Sequence, residues 1–425
     1  MSTLIAILFL LGYLAIIFEH NLKINKAATA LLTGVLCWTG FTFLQQDYHL
    51  LSEQLAHHLS EIAAILFFLL GAMVIVELID AHDGFEIITE RIKSGSKRKL
   101  VWIIGFLAFF LSAILDNLTT TIVMVTLLRK LITESRDRML FTGLVVIAAN
   151  AGGAWSPMGD VTTTMLWIGG QITAVKIILQ TFLPSLVCFI IPATLISLQV
   201  KGNFGKIQVK KEKLTSSAFE RKAVFIIGVA SLLFVPVFKT ITHLPPYMGI
   251  LFGLGLMWLL TELIHSEKDE QEKGLLSVNH ALRKVDTPSV LFFLGILLCV
   301  SALQSTGILN AVSDSLNQTI GNINVITLII GILSAVVDNV PLVAAAQGMY
   351  SLQQFPPDHY FWEFLAYCAG TGGSLLIIGS AAGIAAMGME NIKFGWYLKK
   401  ITWLAFLGYI SGAGLFLLQH YLFHL

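Results

Sequence analysis

Ten stretches of this chain are apolar along nearly their whole length, near residues 3–18, 27–44, 62–80, 139–168, 177–199, 222–242, 246–264, 288–305, 361–388 and 401–420. A helix of about 20 such residues crosses a hydrocarbon layer of about 30 Å, so each predicts a membrane span. Two further apolar stretches, about 99–133 and 323–355, are too long for one crossing and too short for two with a turn. Each carries Asp-Asn near its middle, at Asp116-Asn117 and Asp338-Asn339. The economical reading is a re-entrant helical hairpin that turns inside the protein at bilayer depth and leaves on the side it entered.

The polar gaps between the spans carry the charge. If the ten spans alternate, the segments with Lys23 and Lys26, Arg91 to Lys99, Arg129 to Arg138, Lys201 to Lys222, Lys268 to Lys284 and Lys393 to Lys400 share one face. Of 27 Lys and Arg residues, only Lys176 and Lys239 then fall on the other. That asymmetry predicts a cytoplasmic basic face and extracytoplasmic termini. Hairpin one then enters from the cytoplasm and hairpin two from outside.

Composition agrees with a multi-span membrane protein: 56% of the 425 residues are hydrophobic and 12% charged, with a mean hydropathy of +0.79. A net charge of +1 offers no basic surface for nucleic acid. The first 18 residues lack a positive leading region and a small-residue cleavage site, so they read as a retained span rather than a signal peptide. Cys37, Cys188, Cys299 and Cys368 lie singly in apolar segments and read as packed thiols, not disulfides or metal ligands.

The doubled Asp-Asn belongs to a longer duplication. Ser112-Ala113-Ile114-Leu115-Asp116-Asn117 recurs 222 positions later as Ser334-Ala335-Val336-Val337-Asp338-Asn339. Phe68-Leu69-Leu70-Gly71 is echoed by Phe292-Phe293-Leu294-Gly295, and Gly152-Gly153 with Gly159-Asp160 by Gly372-Gly373 with Gly379-Ser380. Five crossings separate equivalent points, an odd number, so the two halves are expected to be inverted in the membrane. This divides the chain into a first repeat at 1–200, a cytoplasmic linker at 201–221 and a second repeat at 222–425. Inverted repeats with interrupted helices are the architecture of secondary transporters, whose sites lie near the midplane.

The third block supplies the interruptions. Gly152, Gly153, Ser156, Pro157, Gly159, Asp160 and Thr162 fall inside the span at 139–168, and Thr371, Gly372, Gly373, Ser374, Gly379 and Ser380 inside its twin at 361–388. Proline removes a backbone donor and glycine relaxes the helix, so carbonyls are expected to be freed there. A small hard cation takes such oxygens together with one or two carboxylates and amide or hydroxyl groups. An aspartate at bilayer depth costs roughly 2.5–3.5 kcal/mol, which marks Asp116, Asp160 and Asp338 as functional candidates.

Plainer readings stand beside these. Asn117 and Asn339 could cap the hairpin turns, the glycine pairs could serve close packing, and Thr119, Thr120 and Thr121 could bond to the preceding helical turn. Glu77 and Asp80 lie near the end of their span and read as solvated. His57, His58 and Glu61 lie near the outer mouth, where a solvated loop is favoured over a pH sensor.

Ser112-Ala113-x-x-Asp116-Asn117-Leu118-Thr119-Thr120, the run from Asn150 to Thr163, and Ser334-Ala335-x-x-Asp338-Asn339-x-Pro341 together resemble the NhaD-type sodium/proton antiporters of the ion transporter superfamily. The likeness spans nearly the whole chain, with the middle motif the most specific. It implies an inner-membrane exchanger of cytoplasmic sodium, and lithium, for external protons, and a homodimer with a scaffold part and a moving transport part. By the same resemblance Asp116, Asn117, Thr119, Asn150, Asp160, Ser334, Asp338 and Asn339 handle the ions. The second glycine block is looser, with Ser380 where its twin has Asp160.

Exchange requires sodium and protons to compete for the same carboxylates, a role Asp116 and Asp338 would share if the hairpin tips meet. Asp160 is the third candidate for binding a proton or sodium. No cofactor is expected. Carriers of dicarboxylates, citrate, sulfate or arsenite share the superfamily architecture, but three acidic residues with no intramembrane Lys or Arg to offset them disfavour an anion. An intramembrane aspartyl protease also needs two buried aspartates, yet Pro157-Met158-Gly159-Asp160 departs from Gly-x-Gly-Asp, and proteolysis needs no duplication. A channel is the remaining alternative.

Overall fold

The computed structural model describes residues 2–43, 47–89, 92, 95–200, 202–203, 216–266 and 270–423. Most of the expected linker, together with Arg91 and Lys93, lies outside them. The first half runs through α1 (Ser2–Ile17), α2 (Glu19–Leu22), α3 (Lys26–Thr42), α4 (Tyr48–Ala81), α5 (Glu86–Thr89), α6 (Lys97–Leu115), α7 (Asn117–Leu131), α8 (Ser135–Gly153), α9 (Val161–Ile168) and α10 (Ala174–Gln199). The second comprises α11 (Ala218–Thr242), α12 (Pro246–Ile264), α13 (Glu270–Leu275), α14 (Val278–Lys284), α15 (Thr287–Ser305), α16 (Ile308–Thr319), α17 (Ile323–Leu333), α18 (Asn339–Met349), α19 (Tyr360–Gly372), α20 (Ala381–Glu390), α21 (Phe394–Lys400) and α22 (Thr402–Phe423). The chain is an all-α integral membrane protein.

Among the described residues, seven helices are long and apolar enough to cross a membrane: α4, α6, α10, α11, α12, α15 and α22. Six of these fall on expected spans, while α6 is the first arm of hairpin one. The other four expected spans are α1 and α3, at 16 and 17 residues, and the broken pairs α8 with α9 and α19 with α20. Helix α4 starts 14 residues before its apolar stretch, because Asp47 caps it and accepts hydrogen bonds from the amides of His49 and Leu50. Helix α16 meets α17 at 119°, so this pair is not one straight span.

Packing sorts the helices into two groups. Helix α3 packs against α1 and α15, and α12 against α4 and α11. In the second group each hairpin lies on its broken span: α6 and α7 on α8, α17 and α18 on α19, with α10 against α22 behind them. Helix α7 also packs on α20, and α18 on α9, so the halves interlock at their interrupted helices.

Matching contacts hold both hairpins. Ser112 Oγ donates to the carbonyl of Ala149 at 2.6 Å, and its counterpart Ser334 Oγ to that of Ala369 at 2.8 Å. A Cβ on Gly152 would collide with the Phe109 carbonyl, and one on Gly372 with that of Gly331. These glycines therefore let a hairpin arm lie directly on a broken helix. The duplication in sequence is a duplication of contacts.

Candidate functional site

Four interrupted helices begin in the interior, and each has an oxygen-bearing N-cap. Asp116 caps α7 and accepts from the Thr119 amide at 2.7 Å, while Thr119 Oγ1 donates to its other oxygen at 2.9 Å. Asp338 caps α18 through the Val340 amide, Asp160 caps α9 through the Thr162 amide, and Ser380 caps α20 through the Gly383 amide. Capping thus falls to the aspartates and not to the asparagines beside them. A carboxylate at a helix N-terminus gains from both the unpaired amides and the helix dipole.

Freed from capping, the asparagines converge on Asp160. Asn117 Nδ2 donates to Asp160 Oδ2 at 2.5 Å, and Asn339 Nδ2 lies 3.2 Å from each carboxylate oxygen. Thr162 Oγ1 adds a bond at 2.8 Å. Asn117 Nδ2 also reaches Asn150 Oδ1 at 3.3 Å, and Asn150 Nδ2 donates to Val146 O and, at 3.1 Å, to Ser380 Oγ. One network therefore joins Ser380, Asn150, Asn117, Asp160 and Asn339 across both halves. Asp160 and Ser380 are each 1% exposed and Asn150 is fully buried.

The network is asymmetric where the sequence is. By the offset of 220, Asn150 and Asp160 correspond to Gly370 and Ser380, so the second half lacks both the amide and the acid. The duplicated frame consequently holds one central carboxylate. Ser380 retains the cap while serving Asn150 as an acceptor.

The hairpin aspartates, which would share the ion if the hairpin tips met, line different crevices. Asp116 faces Thr119 and lies in a crevice of about 40 Å³ with Phe68, Met73, Thr164 and Phe293. It is held at a φ of 95°, a region that favours glycine, so its turn stores backbone strain. Asp338 lies on a separate crevice with Tyr13, Glu19, Lys26 and Phe292. Its Oδ2 is 3.9 Å from Lys26 Nζ. The expectation of no offsetting cation is therefore corrected: Lys26, placed by sequence in a polar connection, begins α3 and reaches the tip of hairpin two.

Hydroxyls of the chain take up some of the carbonyls at and around the interruptions. Thr164 Oγ1 donates to Pro157 O, Thr163 Oγ1 to Asp160 O, and Ser156 Oγ to Ala113 O. Thr371 Oγ1 bonds Tyr367 O and Ser374 Oγ bonds Thr371 O, both local to α19 and the turn after it. Ser156, Thr371 and Ser374, which look like cation ligands in sequence, bond backbone carbonyls instead, whereas Thr162 bonds the Asp160 carboxylate.

A cavity of about 660 Å³ lies between the two helix groups on the face opposite the basic segments. His58, Glu61, Gln171, Ser301, Gln304 and Gln347 line it, with Met165 and Ala344 from α9 and α18. His58 is partly buried and 3.1 Å from Ser305 Oγ, whereas His57 is largely exposed. On the basic face Glu77 pairs with Lys284 at 3.2 Å, and Glu390 with Arg129 and Arg138 at 2.7 and 2.6 Å. Glu363, on α19, is fully buried with both carboxylate oxygens unpartnered among the described residues. Neither Glu390 nor Glu363 was singled out by sequence, although each is a lone acid in an apolar stretch.

Crossed hairpins, broken helices and a buried acid shared by both halves define a membrane carrier of the interrupted-helix class. The model of the citrate transporter family, CitMHS, matches residues 13–363. Sodium/proton antiporter 1 of Arabidopsis thaliana is 51% identical over 98% of this chain and 72% of its own length. Sodium/proton antiporter 2 of the same plant is 48% identical over 98% and 99%. The Na(+)/H(+) antiporter NhaD of Alkalimonas amylolytica is 32% identical over 98% and 91%. The chain belongs to the CitMHS family of transporters, among its NhaD-type sodium/proton antiporters.

Proposed function

We propose that this protein exchanges sodium, and lithium with it, for protons by alternating access. The observation that carries the reading is Asp160, a buried acid held by an asparagine from each hairpin. Turning the amides of Asn117 and Asn339 would present their oxygens beside the carboxylate, and a partly dehydrated cation takes such a set. Protonation of the same acid would remove its attraction for the cation, which makes the two occupants mutually exclusive. Asp116 and Asp338 flank this centre as further acids. The names of the relatives point to the same exchange.

The family description raises citrate as another cargo. Helix N-termini are natural anion sites, but three of the four interior ones are filled by the chain's own carboxylates. At those three an anion would have to displace Asp116, Asp160 or Asp338, while the fourth is capped by the Ser380 hydroxyl.

We further infer that the halves are inverted repeats, that the group carrying the hairpins moves against the other, and that two copies associate. The basic face is assigned to the cytoplasm of an inner-membrane-type bilayer, with both termini opposite. The large cavity then opens outward.

The test uses purified protein in acid-loaded liposomes carrying a pH-sensitive dye. Sodium and lithium should drive saturable proton movement, whereas citrate should not. Citrate-dependent uptake without a sodium response would contradict the proposal, and non-saturating sodium flux uncoupled from protons would indicate a channel.

A further inference from the structure

The two hairpin aspartates occupy equivalent sequence positions yet have different partners. Asp116 is held by its own helix through the amide and hydroxyl of Thr119. At the position equivalent to Thr119, hairpin two has Pro341, which has neither group. Asp338 keeps a single long cap bond to the Val340 amide, at 3.3 Å. In place of the missing donors stands the ammonium of Lys26, 3.9 Å from Oδ2.

Lys26 is itself placed from three directions. Its backbone amide donates to Glu19 Oε2 at 3.3 Å, Asn25 caps the helix it begins, and its ammonium lies 4.5 Å from the centre of the Phe292 ring. The side chains of Lys26 and Asp338 are 22% and 18% exposed, so the pair is neither freely solvated nor sealed. It also joins the two packing groups, with Lys26 on α3 and Asp338 at the tip of hairpin two.

We propose that Lys26 is a tethered competitor for the transported cation at Asp338. Resting on the sodium-exchange reading, this gives Lys26 a positioning and specificity role. When no ion is present its ammonium neutralises the hairpin aspartate and ties the hairpin to α3. A sodium ion drawn to Asp338 must displace that ammonium, which weakens sodium binding and releases the tie. Among the described residues Asp116 has no such competitor, so the two equivalent acids are inequivalent towards the cation.

The test combines a double-mutant cycle with sodium binding to purified protein. In sodium-free buffer, Lys26→Met and Asp338→Asn should lower the melting temperature by non-additive amounts, since each removes the same pair. Lys26→Met keeps an apolar stem over Phe292, and Lys26→Arg serves as the charge-retaining control. Sodium should bind Lys26→Met at least about threefold more tightly than wild type, the scale of a partly exposed ion pair, with Lys26→Arg near wild type. In the Asp338→Asn background the Lys26→Met gain should vanish. Additive melting shifts, or equal sodium affinity in wild type and Lys26→Met, would overturn the proposal. A coupled pair with no sodium binding in any variant would instead overturn the exchange reading, and with it the role of Lys26.

Discussion

Asn339 Nδ2 lies 3.2 Å from both carboxylate oxygens of Asp160, although 179 residues separate the two in sequence. Asn117 approaches the same carboxylate from the other hairpin at 2.5 Å. The transport reading depends on this convergence, because it makes one acid sensitive to the positions of both halves.

Removing either asparagine should weaken cation binding. A hydrogen bond to a charged group contributes about 1.5–3 kcal/mol, so Asn339→Ala should raise the apparent sodium KM by about tenfold or more. The counterpart Asn117→Ala should do the same. Proton movement measured in liposomes against sodium concentration checks this, and an unchanged KM in both variants would place the cation elsewhere.

Asp116→Asn separates capping from charge. Asparagine can accept the Thr119 amide bond, and it tolerates positive φ better than most residues. The variant should therefore melt near the wild-type temperature while losing sodium-driven proton movement. Retained exchange would reduce Asp116 to a cap.

Glycines at the hairpin crossings give a stability test. Gly152→Ala and Gly372→Ala place a methyl against backbone that cannot yield, and overpacking of this kind costs about 1–3 kcal/mol or more. Gly414, with open space around its Cβ position, is the control. Melting in detergent should fall for the first two and hold for Gly414→Ala.

The Glu390 clasp gives another. Its side chain is 1% exposed and bonded by Arg129 and Arg138, while Arg129 is about half exposed. Glu390→Gln leaves two guanidinium groups without their charge partner and should cost about 2 kcal/mol, below the value for a fully buried pair because of that exposure. A melting temperature equal to wild type would show the clasp to be dispensable.

The helical architecture and the central acid were legible in sequence because both are written in local pattern. Apolar run lengths gave the spans, and Asp160 stood out as an acid within one. What local pattern could not carry was direction. Asp116 and Asn117 are adjacent, and only the turn between α6 and α7 decides that the aspartate caps while the asparagine reaches across. The hydroxyl of Ser156 was equally ambiguous, since its partner Ala113 is set by how the broken span folds back. Lys26 was hidden for another reason: its place beside a polar connection reads as solvated until hairpin two is brought to it.

Asp160, the carboxylate shared by both halves, is the proposed centre of cation binding, with Asp338 flanking it, and equilibrium binding of radiolabelled sodium to purified Asp160→Asn tests that most directly. The asparagine should preserve the fold, shown by an unchanged elution profile and melting behaviour, yet abolish saturable sodium binding. Sodium binding at wild-type affinity in a folded Asp160→Asn protein would contradict the account.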